Sequence, residues 1–71
     1  MNFKDFMDLY DNWNGITQVN DDNLNPIVRE KTSNLMWENP VLNGVENKEK
    51  LFEMEVVSFG FYDDVFYVRV K

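Results

Sequence analysis

The chain has 71 residues, 13 of them acidic and seven basic, for a formal net charge of −6, and it contains neither cysteine nor histidine. That inventory excludes thiol and disulfide chemistry, and it removes the commonest general base and the commonest zinc ligand. It also weighs against direct nucleic-acid binding, which needs lysines and arginines to neutralise phosphates; a protein partner, or plain solubility, accounts better for the acidic balance.

A chain this short buries only about 60% of the surface its unfolded form exposes, so residues 1–71 are expected to form one domain around one modest core. With disulfides and metals poorly supplied, a homodimer is the remaining support for so small a scaffold. No stretch approaches the roughly 18 apolar residues of a membrane span. Residues 1 to 11 carry three aspartates and lack the apolar run of a signal peptide. The expectation is a soluble, cytoplasmic protein, and the absence of cysteine fits a reducing compartment.

In chain order, Phe3, Phe6, Met7 and Tyr10 recur at the spacing of one helix face. Asn2 is placed to cap that helix, and Asn12-Trp13-Asn14-Gly15 to end it, because Asn and Gly tolerate left-handed backbone. ITQVN (16 to 20) and IVREK (27 to 31) are rich in β-branched residues and read as a strand pair across the turn-forming DDNLNP. Pro26, which cannot donate to a ladder, belongs at a strand's edge or start. Thr32 or Ser33 then caps a short helix carrying Leu35 and Met36, and Pro40 stops it. Asn47 caps a further turn or two with Leu51 and Phe52 inward, so residues 32 to 55 form one broken helix or two short ones.

VVSFGFYDDVFYVRVK closes the chain as a hairpin. A two-residue turn at Asp63-Asp64 pairs Tyr62 with Val65, Phe61 with Phe66, Phe59 with Val68 and Val57 with Val70. Because successive side chains alternate, one face then collects Val57, Phe59, Phe61, Phe66, Val68 and Val70. The other collects Val56, Ser58, Gly60, Tyr62, Val65, Tyr67, Arg69 and Lys71. Asp-Asp is a weaker two-residue turn than Asn-Gly, since both positions need positive φ, and a longer loop is the alternative. The order is α-β-β-α-β-β: a single α+β domain with an antiparallel sheet and helices packed on one face.

Phe59-Gly60-Phe61 has the centre of an RNA-recognition strand, but Val57 stands where that motif needs a basic residue and Asp64 where it needs an aromatic. Six apolar residues without a cation make a core, so Phe59 and Phe61 are expected inside. Asp21, Asn23 and Asn25 follow a calcium-loop spacing, yet Pro26 replaces its glycine and Thr32 its closing glutamate, which leaves turn chemistry and no metal site. Ser33 and Ser58 have no activating partner, no phosphate-cradling loop is present, and the chain is expected to be non-catalytic, with no cofactor.

The expected interaction face is Tyr62, Tyr67 and Arg69, with Tyr67 lying over the bare backbone of Gly60, because Tyr and Arg are enriched at interface centres. The competing reading is that helices cover that face as well. Trp13 and Trp37 either plug the core's edge or mark a contact surface. Asp5, Asp8 and Asp11, with Asp21 and Asp22, form a candidate acidic patch, although a solvated helix face looks the same.

FKDFMDLYDNWNG at the start and EVVSFGFYDDVFYVRV at the end resemble small proteins of phages, prophages and conjugative elements of Firmicutes-type bacteria, over about the first and last twenty residues. The resemblance carries no active site. It implies a non-catalytic inhibitor of a host defence or nucleic-acid-handling protein, with carboxylates standing in for phosphates. The alternative is a self-associating assembly module that uses the C-terminal hairpin, its final strand offering unpaired backbone. Direct nucleic-acid binding ranks last, and no membrane partner is expected.

Overall fold

The computed structural model describes all 71 residues. The elements run α1 (Phe3–Asp8), β1 (Ile16–Asn20), β2 (Pro26–Lys31), α2 (Thr32–Trp37), α3 (Lys48–Glu53), β3 (Val56–Tyr62) and β4 (Val65–Val70). The α+β class stands, and the 32-to-55 connection holds two short helices. No helix is long and apolar enough to cross a membrane.

The sheet has the order β2-β1-β4-β3. Both hairpins are antiparallel, but β1 and β4 pair in parallel, Ile16 beside Val65 through Asn20 beside Arg69. The expected all-antiparallel sheet is therefore a mixed one. The cause lies in which strand of the second hairpin is central. Val65, Phe66, Val68 and Val70 are all buried, so β4 is covered along its helix face and, at Val65, on the other face as well, and belongs in the middle, whereas β3 has Ser58 and Gly60 on one face and exposed Phe59 and Phe61 on the other. The final strand is thus interior, and the free edge is β3.

One face of the sheet carries the helices. Phe3, Met7, Val19, Ile27, Val28, Leu35, Met36, Leu51, Phe66, Val68 and Val70 form one buried cluster there. Asn2 caps α1 through a bond from the Asp5 amide at 2.8 Å, and Asn47 caps α3 through the Lys50 amide at 2.9 Å, both as expected. α1 ends earlier than the apolar spacing suggests, at Asp8. Leu9 and Tyr10 donate to Phe6 and Met7 carbonyls in a tightened last turn, which keeps Tyr10 packed against the core. The chain then departs so that the carbonyls of Trp13 and Gly15 can accept from Ser33 and Thr32 at 2.9 and 2.8 Å.

That arrangement replaces the side-chain cap expected of Thr32 or Ser33. Lys31 occupies the cap position of α2 without a side-chain bond, and the two loop carbonyls satisfy the first amides instead. The Thr32 hydroxyl, fully buried, donates to the Gly15 carbonyl at 3.1 Å and so accepts from Thr17 Oγ1 at 2.6 Å. Two buried hydroxyls are thereby paired, at the junction of β1, α2 and the preceding loop.

Candidate functional site

The turn between β3 and β4 is the two-residue form. Asp63 and Asp64 both take positive φ, 51° and 62°, as a twist-matched hairpin turn requires. The register pairs Tyr62 with Val65, Phe61 with Phe66, Gly60 with Tyr67 and Phe59 with Val68. It shifts between Val56 and Ser58, so that Val56 rather than Val57 stands opposite Val70. The bulge exchanges the two valines: Val56 packs on the core and Val57 is exposed.

The larger correction concerns the phenylalanines. Phe59 and Phe61 lie on the helix side of the sheet, yet they are 64% and 59% exposed. Shared side-chain polarity had placed them in the core, but cover is set by the helices, and the helices end over β4. Tyr10 stacks on Phe66 with centroids 4.1 Å apart, and Phe6 lies 6.0 Å from Phe66. Phe6 also reaches Phe59 at 5.0 Å and nothing covers the strand beyond it. Leu9, 71% exposed, continues the apolar surface past the end of α1. Phe6, Leu9, Tyr10, Phe59 and Phe66 line a wholly apolar hollow of about 330 Å³.

The backbone beside this hollow is open as well. None of the turn and loop backbone bonds involves residues 57 to 62. The start of β3, by contrast, is closed by the N-terminal residues: Val56 donates to the Met1 carbonyl at 3.0 Å, and Phe3 to the Met54 carbonyl at 2.8 Å. The Glu55 carboxylate accepts from the Met1 ammonium at 2.8 Å, which holds its pKa below the ordinary value. Beyond Val56 the outer side of β3, away from β4, is therefore without a backbone partner.

Of the residues expected to form the interaction face, Tyr62 is exposed, while Tyr67 and Arg69 are half-buried. Helices do not cover this side. Tyr67 stands opposite Gly60, but its ring does not lie over the glycine as expected, since a Cβ there would meet nothing within 4 Å; Arg69 Nε lies 3.9 Å from the Asp22 carboxylate. Asn20, Leu24, Ser58, Gly60, Tyr67 and Arg69 border a second hollow, of about 250 Å³. Trp13 is half-buried against the core and meets Trp37 edge-on at 5.8 Å, with Trp37 itself 74% exposed.

The acidic residues are divided among local tasks. Asp8 is held by Lys4 at 2.8 Å. Asp11 lies beyond the end of α1 and does not extend the row begun by Asp5 and Asp8. Asp21 turns its Oδ1 onto the amides of Asn23 and Asn25, both at 2.9 Å, as turn chemistry demands. No group of three or more acidic side chains is gathered as a metal site would require.

The edge strand and its aromatic hollow define the class: a small two-layer α+β domain with one uncovered, uncharged sheet edge. No family model, curated protein or solved structure matches the chain.

The signal for Phe59, Phe61 and Leu9 was present in the residues. Val65 gives β4 an apolar residue on the face where β3 has Ser58 and Gly60, which favours β4 over β3 as the central strand. The four-stranded sheet is also wider than six-residue helices can roof. An apolar residue on an outer strand beyond the helices' reach stays exposed, as Phe59 and Phe61 do, whereas Ile27 and Val28 on the other outer strand lie under cover.

Proposed function

We propose that the protein is a non-catalytic interaction module that binds a polypeptide along the open edge of β3. The observation that carries this reading is the coincidence of an outer backbone edge without a partner beyond Val56 with the exposed rings of Phe59 and Phe61. Strand addition uses both elements: main-chain bonds supply affinity and alternate side chains supply selectivity. Leu9 and Phe59 line one hollow and Phe61 is exposed on the same strand face, and contiguous apolar surface of this kind marks interfaces.

The narrower form is an acidic inhibitor on a bacterial mobile element, acting in the cytoplasm. It rests on the net charge of −6 and on the resemblance of the two chain ends. Its phosphate-mimicking patch has less support than the edge, because Asp8, Asp21 and Asp22 already have partners within the chain. The test is capture from a bacterial lysate on the immobilised chain, beside a folded Phe59→Asp/Phe61→Asp variant. Polypeptides retained by the native chain and lost from the variant support the reading; equal retention on both overturns it.

A further inference from the structure

We infer that a second copy of this chain occupies the edge, the two β3 strands pairing antiparallel about a two-fold axis at Gly60. This deepens the reading that β3 binds a polypeptide, and rests on it. The register follows from two constraints. The first is the position of the open edge, which begins beyond Val56, the residues up to Val56 being closed off by Met1 and Phe3.

The second constraint is the alternation of the antiparallel ladder. A two-residue turn makes Tyr62 and Val65 a hydrogen-bonded pair, so Gly60–Tyr67 is bonded too, while Phe59–Val68 and Phe61–Phe66 are not. The amides and carbonyls of Phe59 and Phe61 therefore point away from β4. Centring the axis on Gly60 sets Phe59 of one copy against Phe61 of the other, twice, and all four outward-pointing residues bond. Side-chain geometry agrees. The axis stands perpendicular to the sheet, so both helix layers lie on the same side, and the four phenylalanines meet between the two α1 helices.

The area is sufficient for a modest dimer. At about 150–250 Å² for a whole aromatic side chain, the exposed parts of Leu9, Phe59, Phe61 and Tyr62 give roughly 500 Å² per copy. Complete cover of all four on both copies would bury about 1,000 Å², and pairing along the strand reaches only part of it, which places the dimer among weak, transient associations. Charge permits the approach, since Ser58 to Tyr62 holds no ionisable group except the tyrosine, and the net charge of −6 on each copy makes the dimer tighter in salt.

Sedimentation velocity of the full chain from about 1 to 200 µM brackets such an interface. The expected result is a monomer–dimer equilibrium, with Phe61→Asp raising the dissociation constant about tenfold or more. Gly60→Cys tests the register in a chain that has no other cysteine. A Cβ at Gly60 meets nothing within 4 Å, and a non-bonded antiparallel pair stands about 4.5 Å apart at Cα, within disulfide reach. Mild oxidation is expected to link Gly60→Cys into covalent dimers and to leave Ser58→Cys unlinked, because those sites stand about 13 Å apart across the axis.

A monomer throughout the range overturns the dimer, and preferential linking of Ser58→Cys overturns the register centred on Gly60. A monomer that still captures other polypeptides through Phe59 and Phe61 overturns only the dimer; a monomer that captures nothing overturns the binding reading with it.

Discussion

The two edges of the sheet are treated in opposite ways. At β2 the strand opens with Pro26 and carries Arg29, Glu30 and Lys31, and the loop after α2 reaches back so that Asn43 donates to the Ile27 carbonyl at 2.8 Å. Charge, proline and a covering loop are the standard means of preventing an edge from accepting another strand. At β3 the bulge and the N-terminal residues protect only the first turn of the ladder, and SFGFY is left with neither charge nor cover. One molecule that blunts one edge and leaves the other apolar shows that the open edge is not a by-product of small size.

Core truncation separates the two edges most strongly. Leu35→Ala, on the helix over β1 and β2, removes a fully buried side chain and is expected to cost about 2–5 kcal/mol. Phe61→Ser, on the open edge, is expected to change monomer stability by less than about 0.5 kcal/mol. Urea unfolding at sub-micromolar concentration, where the chain is monomeric, measures both. Equal losses would mean that β3 is packed after all.

Next in size is Thr32→Val, which deletes the acceptor of the Thr17 hydroxyl and one bond to Gly15. Leaving a buried hydroxyl unpaired costs about 1–3 kcal/mol. Amide exchange at Thr32 and Ser33 is expected to quicken while that of Phe66 and Val68 holds, because the damage falls on the β2 side. Smaller, and of opposite sign, is Leu24→Gly in the turn between β1 and β2. Leu24 holds φ of 66° and is 62% exposed, so glycine relieves a left-handed conformation and is expected to raise stability by about 0.5–1 kcal/mol in the same urea experiment.

The elements most legible in the residues were those fixed by short-range rules. The caps at Asn2 and Asn47, the two-residue turn at Asp63-Asp64 and the pairing of Phe61 with Phe66 all follow from spacing and local hydrogen bonding. What spacing does not encode is how far one layer extends over another. Phe59 and Phe66 share a face and a polarity, but only Phe66 lies under Tyr10. The parallel pairing of β1 with β4 is likewise a tertiary choice, made by the burial of Val65 on the face without helices. The Val56–Val57 bulge gave no sequence signal, as neither residue demands unusual backbone.

Within β3 itself the closed and open ends differ in how they respond to acid. The Met1 ammonium holds the Glu55 carboxyl below its usual value of 4.5, first by hydrogen bonding and then by charge, with Lys71 adding a smaller pull. A carboxyl whose folded pKa is depressed stabilises the fold above its unfolded pKa, and loses that contribution as pH falls through the folded one. Native protein is therefore expected to melt slightly above Glu55→Gln at neutral pH, with the gap closing only below about pH 4.5 and shrinking in high salt, as an exposed pair should. The protection factor of the Val56 amide, which bonds to the Met1 carbonyl, should follow the same pH course, while those of Phe59 and Phe61, whose amides have no partner in the monomer, should show none of it at monomeric concentration. A pH-dependent protection factor at Phe59 instead would mean that the N-terminal residues guard the whole edge, and the open edge would shrink accordingly.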